Sequence, residues 1–206
     1  MIVSEKRFVR IRNVVDGRQR GLVLVLEDIH DPHNAEAIFR SCDAFGVQDV
    51  HLIFGREKSW NPRKIGKQSS SSAHKWLSFF SYRSTRECLD KLKGEGYFVV
   101  GSVLSDDSVS LYGGVDFSKH SKIAIVVGNE HSGLSEEAKK LCDVLVKIPM
   151  RGMLESLNVS VASAVFVSEI VRQRVASGKN FALTKIEQEA LQEQLMLQSR
   201  KRKQHT

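Results

Sequence analysis

Cysteine and proline are both scarce in this chain, at three residues each out of 206. Cys42, Cys88 and Cys142 lie far apart, are odd in number and never take a Cys-x-x-Cys spacing. That pattern argues against a disulfide framework or a zinc cage, and leaves each thiol as a small buried hydrophobe. So few prolines leave no room for a low-complexity domain. Long apolar runs are missing too. Residues 22–26 and 123–127 are far too short to cross a bilayer, and no apolar signal-peptide core follows Met1. A cytoplasmic protein with no membrane partner is expected. What is present is 41% hydrophobic residues, enough to fill the core of one globular domain with appended arms. A disordered, collagen-like or coiled-coil chain does not fit that composition.

Lysine and arginine number 31 against 24 acidic residues, a net charge of +7. The excess sits at the ends: Lys6, Arg7, Arg10, Arg12, Arg18 and Arg20 at the start, and the run from Arg200 to Lys203 at the finish. Such clustering points to a polyanionic partner, most simply nucleic acid. Solubilising surface charge is the alternative. A membrane-surface or calmodulin-type helix is disfavoured, because no aromatic or leucine face is interleaved with the final run.

Periodicity predicts a basic amphipathic helix over 4–16, stopped at Gly17. A continuous apolar run over 22–27 reads as a strand buried on both faces. Helices then follow over 34–45, 85–92 and 135–141, and strands over 50–54, 98–103, 123–127 and 144–148. A long helix over 157–176 and a last one over 184–198, opened by the Thr184/Glu187 capping box, complete the chain. The serine run at 69–72 reads as a surface loop or helix start, and no internal repeat is visible. Alternating strands and helices imply an α/β fold: a mostly parallel sheet with helices on both faces.

In such a sheet the ligand sits beyond the carboxyl ends of the strands, so three loops matter. The first, Asp28-Ile29-His30-Asp31-Pro32-His33-Asn34, leads into a helix that Asn34 is placed to cap and that carries Arg40, either solvated or aimed at an anion. His30 and His33 have no third ligand at metal spacing, so no metal site is expected. The second, Gly128-Asn129-Glu130-His131-Ser132-Gly133-Leu134-Ser135, copies the skeleton of a phosphate-binding loop. Yet Leu134 stands where the lysine is needed, and Glu130 sets a negative charge against any triphosphate. Glycines instead allow close backbone approach to a neutral or cationic ligand, or merely make an ordinary turn. The third runs from Ile148 through Pro149 and Met150 to a helix start holding Ser156, Asn158 and Ser160, whose free N–H groups face the crevice. No Gly-x-Gly-x-x-Gly follows the first strand, which argues against an NAD enzyme or a methyltransferase of the conventional nucleotide fold.

Together these segments resemble the three motifs of the SpoU/TrmH branch of the SPOUT methyltransferases. The likeness lies in residues 33–40, in 125–134 and in 148–162, and spans about residues 20 to 176. It is similar above all to the tRNA guanosine-2′-O-methyltransferases. The resemblance implies a deep C-terminal trefoil knot, which general rules of chain topology would have excluded. It divides the chain into a basic N-terminal helix over 1–20, a methyltransferase domain over 21–176, and a helix with a basic tail over 177–206. It implies that Ser102, Gly128, Ile148 and Leu157 hold S-adenosylmethionine, and that Arg40, Asn34, Glu130, Ser156 and Asn158 form the catalytic set. It also implies that His33, Arg172 and Arg174 touch RNA, and that the enzyme is a homodimer with its site at the interface. Arginine stays protonated, so a phosphate clamp that stabilises the developing oxyanion suits Arg40 better than a base. The function implied is 2′-O-ribose methylation of tRNA, at a D-loop guanosine. An rRNA substrate and a non-catalytic knotted RNA-binding factor are the alternatives.

Overall fold

The computed structural model describes residues 4–64 and 73–201. The serine run at 69–72 and all but the first two residues of the basic run at 200–203 lie outside the described residues. Helices α1 (Glu5–Asp16), α2 (Pro32–Ala44), α3 (Thr85–Gly94), α4 (Glu136–Leu141), α5 (Val159–Ala176) and α6 (Lys185–Lys201) are joined to seven strands. These are β1 (Leu22–Glu27), β2 (Asp49–Ile53), β3 (Ser78–Tyr82), β4 (Phe98–Ser102), β5 (Val109–Ser110), β6 (Ile123–Val127) and β7 (Val144–Lys147). They form one sheet in the order β3-β2-β1-β6-β4-β7-β5, and every pairing is parallel.

Strand alternation builds two cores from the same segments. Leu22, Leu24 and Leu26 of β1 join Ile123, Ile125 and Val127 of β6 on one face, where α2 supplies Ile38 and Phe39 and α5 supplies Phe166, Val167 and Ile170. Val23 and Val25 join Ala124 and Val126 on the other, under Cys88, Leu89 and Leu92 of α3 and Ala138 of α4. β1 and β6, central and buried on both faces, read as unbroken apolar runs for this reason. A third, smaller cluster joins the two ends of the chain, with Ile11 and Val15 of α1 against Leu191 and Leu195 of α6. The Thr184 capping box forms as expected, with Thr184 N–H donating to Glu187 at 2.7 Å and Glu187 N–H returning to the Thr184 hydroxyl at 3.3 Å.

Three expectations change. Helix α2 begins at Pro32, and its cap is Asp31, whose carboxylate accepts from His33 N–H at 2.8 Å. Asn34 is thereby left free for another partner. Helix α5 starts at Val159 and not at residue 157, so Ser156 and Leu157 belong to the loop before it. β3 and the two-residue β5 are not among the predicted strands, because Ser-Phe-Phe-Ser-Tyr is only half buried at the sheet edge and lacks an apolar-polar alternation, and Val109–Ser110 is too short to show a period.

Candidate active site

The carboxyl ends of β1, β4, β6 and β7 open into one cleft of about 670 Å³, within the range of small-molecule sites. Ser102, Gly128, Ile148 and Leu157 line it, together with Asn34, Glu130, Ser156 and Asn158. Eight of the residues singled out from the sequence thus meet in one place. A slightly larger cavity, about 710 Å³, lies at the opposite end of the sheet beside α6, between Gln48, Asp49, Tyr97 and Lys122. It holds none of the motif residues, and a parallel sheet presents its ligand-binding loops at the other end.

The floor of the cleft is backbone. Gly128 leaves β6 so close to the 133–134 peptide that a Cβ would overlap Gly133 and the Leu134 nitrogen. Gly133 turns the chain back at φ +66°, and Asn129 and Gly133 exchange two main-chain hydrogen bonds, of 3.1 and 2.9 Å. The Asn129 carboxamide oxygen accepts from His131 and Ser132 N–H, while its NH₂ donates to the Asp28 carbonyl at 2.8 Å.

Above this floor, three loops are joined by a polar chain with one direction. Glu130 accepts from His30 N–H at 2.9 Å, Asp31 N–H at 3.1 Å and the Asn34 NH₂ at 2.9 Å. The carboxylate therefore turns the oxygen of Asn34 outward, where the Asn158 NH₂ donates to it at 3.0 Å. The oxygen of Asn158 in turn caps α5, accepting from Ser160 N–H at 2.8 Å. Burial pushes the Glu130 carboxyl up, but the donors from Asn34, His30 and Asp31 outweigh it and hold the group below its ordinary value.

Two acidic residues that sequence reasoning did not single out support these loops. Glu27, buried at the end of β1, accepts from the Thr85 hydroxyl at 2.5 Å and from the Ser135 hydroxyl and N–H at 2.6 and 2.9 Å, fixing the starts of α3 and α4. Its signal was a charge closing an otherwise apolar strand. Asp28 adopts φ +52°, the only non-glycine residue with positive φ among those described, and its buried carboxylate accepts from the N–H groups of Gly55, Arg56 and Glu57.

The remaining residues lie outside the cleft. His33 and Arg40 are exposed on α2. Arg40 follows Asn34 by six residues, which sets it about 9 Å along the helix and about 120° around it. Arg172 is exposed and pairs with Glu169 through two bonds of 2.7 and 2.8 Å. It stands about 21 Å along α5 from the cleft end. Arg174 corrects the expectation of an RNA contact: it is 1% exposed. Its guanidinium donates to the carbonyls of Arg20, Gly21 and Ser121 at 3.0 to 3.4 Å and packs on the Phe181 ring, and burial pulls its pKa down to about 10. Among the described residues there is no cluster of metal-ligating side chains, and no helix is long and apolar enough to cross a membrane.

The model of the SpoU rRNA Methylase family matches residues 21–168. The chain belongs to the SpoU rRNA methylase family. The SpoU match contains all eight cleft residues and Arg40 but stops short of Arg172 and Arg174. The tRNA (guanosine(18)-2′-O)-methyltransferase of Thermus thermophilus is 39% identical over 177 residues, covering 85% of this chain and 87% of its own. Among solved SpoU structures, the Aquifex aeolicus TrmH/SpoU tRNA modifying enzyme superposes with a TM-score of 0.83 at 32% identity, over 95% of this chain and 97% of its own. AviRb of Streptomyces viridochromogenes, a SpoU methyltransferase solved in complex with the cofactor AdoMet, gives 0.66 at 26% identity, over 80% and 64%.

Proposed function

We propose that this SpoU protein is an S-adenosylmethionine-dependent RNA 2′-O-ribose methyltransferase that modifies a guanosine in the D-loop of tRNA. The observation that carries this reading is the convergence of Asn34, Glu130, Ser156 and Asn158 with Ser102, Gly128, Ile148 and Leu157 in one cleft. The likeness to tRNA (guanosine(18)-2′-O)-methyltransferases over most of both chains supports the choice of substrate.

The cleft suits the cofactor. Its glycine floor admits a flat adenine against main chain, and Leu145, Ile148 and Leu157 give an apolar wall for a sulfonium that loses its charge on transfer. Bound there, S-adenosylmethionine supplies an electrophilic methyl group. All that this chain must then do is seat the ribose in line and stabilise the 2′-oxygen as its proton leaves. Glu130 is a poor base for that proton, because three donors already occupy its oxygens and hold its pKa down. Its part is to orient Asn34 and, through it, Asn158. Arg40 clamps the adjacent RNA phosphate and stabilises the oxyanion, and the phosphate relays the proton.

Within one chain Arg40 does not line this cleft, is exposed and has no ion pair among the described residues, which fits a site completed by a second copy. Met153 and Leu154, in the loop before α5, are 100% and 75% exposed, and Val161 in the first turn of α5 is exposed too, apolar surface suited to a homodimer. The same reading takes the C-terminal segment of the methyltransferase domain, 21–176, as a trefoil knot around the cleft. His33, Arg172 and the basic helix over 1–20 contribute to the RNA surface, and the protein works in the cytoplasm.

The test is to incubate the protein with methyl-labelled S-adenosylmethionine and unmodified tRNA or rRNA, then map alkali-resistant linkages, with Arg40→Ala as control. Label at one D-loop guanosine, lost in the variant, is expected. Label in rRNA alone would overturn the substrate, and cofactor binding without transfer to either RNA would overturn the chemistry.

A further inference from the structure

The loop after β2, residues 55–64, carries Arg56, Lys58, Arg63 and Lys64 against a single carboxylate, Glu57. An ordinary solvated loop of this composition needs no fixed shape, yet this one is tied down residue by residue. Asp28 holds the N–H groups of Gly55, Arg56 and Glu57 at 2.8 to 3.1 Å and pairs with the Arg56 guanidinium at 3.3 Å. His30 Nδ1 meets Glu57 Oε2 at 3.1 Å. Trp60 packs edge-on against Phe54, reaches Phe39 of α2, and aims its indole N–H at the Ile29 carbonyl. Asn61 closes the loop by accepting from Arg63 N–H at 2.9 Å, and Arg63 lies over the Phe79 ring.

Three consecutive residues, Asp28, Ile29 and His30, thus grip this loop from one side. On the other side the same segment grips the cleft: the Asp28 carbonyl accepts from Asn129, and the N–H groups of His30 and Asp31 donate to Glu130. The basic loop is therefore indexed to the catalytic loops through a single peptide segment. The carboxylates nearest to it are spent, Asp28 on main chain and Arg56, and the loop's own Glu57 on His30. Lys58, Arg63 and Lys64 are exposed and have no ion pair among the described residues.

We propose that residues 55–64 form a phosphate-binding platform for the RNA strand that enters the cleft, with Lys58, Arg63 and Lys64 as its contacts. Preorganised cations at a fixed offset from the cleft suit a polyanion whose one nucleotide must be placed accurately, since phosphate contacts set register without reading sequence. The proposal rests on the RNA methyltransferase reading above, and it adds a surface that the three sequence motifs do not include.

The experiment measures binding of an unmodified tRNA transcript across a salt series, and steady-state methylation, for the full chain and its Lys58→Ala/Arg63→Ala/Lys64→Ala variant. Three contacts at about 0.7 released counterions each predict a log–log salt slope shallower by about 2, with the RNA KM raised about tenfold or more. The kcat at saturating RNA and the Kd for S-adenosylmethionine are expected to stay within about twofold, because positioning contacts outside the cleft supply uniform binding. A variant with an unchanged slope and KM, in a protein that methylates RNA, would overturn the platform alone. A chain that transfers no methyl group, yet loses the slope in the variant, would keep the platform and sink the catalytic reading.

Discussion

Replacing Glu130 by glutamine exchanges one oxygen for an NH₂ group at the head of the polar chain. If the remaining oxygen takes the Oε1 position, it keeps Asp31 N–H and Asn34 but turns the new NH₂ against His30 N–H, where the carboxylate accepted at 2.9 Å. If it takes the Oε2 position, the NH₂ opposes Asp31 N–H and Asn34 must flip, its NH₂ then faces the NH₂ of Asn158, and Asn158 must give up Ser160 to escape. Either rotamer leaves at least one donor opposed to another. The site is partly open to water, so the loss is about 1–2 kcal/mol, not the full value of a charged hydrogen bond. In a chain of this size that lowers Tm by about 2–8 °C. The catalytic effect is larger, since Asn34 and Asn158 are displaced together, and misplacement of a reacting group by about 1 Å lowers the rate about 100-fold. We expect kcat for RNA methylation to fall about 10- to 100-fold in Glu130→Gln while the Kd for S-adenosylmethionine changes less than about threefold. Wild-type kcat in a folded Glu130→Gln protein would refute the argument that the charge orients the two asparagines.

Gly128→Ala places a Cβ into main chain at residues 133 and 134, which cannot rotate away; calorimetry should show S-adenosylmethionine affinity reduced about tenfold or more, with about 1–3 kcal/mol lost in stability. Arg174→Ala empties the space of a buried guanidinium and takes a donor from the part-buried carbonyls of Arg20 and Ser121, while Gly21 keeps Ile123 N–H, and should lower stability in urea by about 2 kcal/mol, whereas Arg172→Ala, whose side chain is 65% exposed, should cost under about 1 kcal/mol. Burial, aided by Lys91, pulls the pKa of His51 down to about 4, so between that value and about 6.5 the unfolded chain binds more protons than the folded one. Stability is then complete above about pH 6.5 and falls by about 3 kcal/mol on acidification to about pH 4. Urea midpoints measured across that window should flatten in His51→Gln.

The order of strands and helices was legible because two periods alternate cleanly along the chain. β1 and β6 announced themselves as unbroken apolar runs, since each is covered on both faces. β3 did not, because an edge strand with exposed Phe80 and only its last residue buried has neither alternation nor an apolar run. The start of α2 was misplaced for a different reason. Asp31 and Asn34 both carry the side chain of a helix cap, and Pro32 at the first helical position decides for Asp31. That choice has a consequence for the site, since an Asn34 spent on capping could not also bridge Glu130 and Asn158.

Spacing within a loop told which residue types were available; it did not tell which way they face. Asn34 lies 96 residues from Glu130 and 124 from Asn158, and only the shared carboxyl edge of β1, β6 and β7 brings them within hydrogen-bond range. Arg172 and Arg174 are both assigned to RNA by the family resemblance, although their spacing of two already keeps them from sharing a helical face. Residues two apart point about 160° from one another on a helix, so α5 sends one to solvent and the other under the sheet. There Arg174 neutralises the carbonyls of Arg20, Gly21 and Ser121, at the amino ends of the strands and thus at the end away from the cleft. Among the described residues, the exposed cations without an ion pair that remain around the motif loops are Arg40 on α2, Lys58, Arg63 and Lys64 on the loop anchored beside it, and Arg151 in the loop before α5.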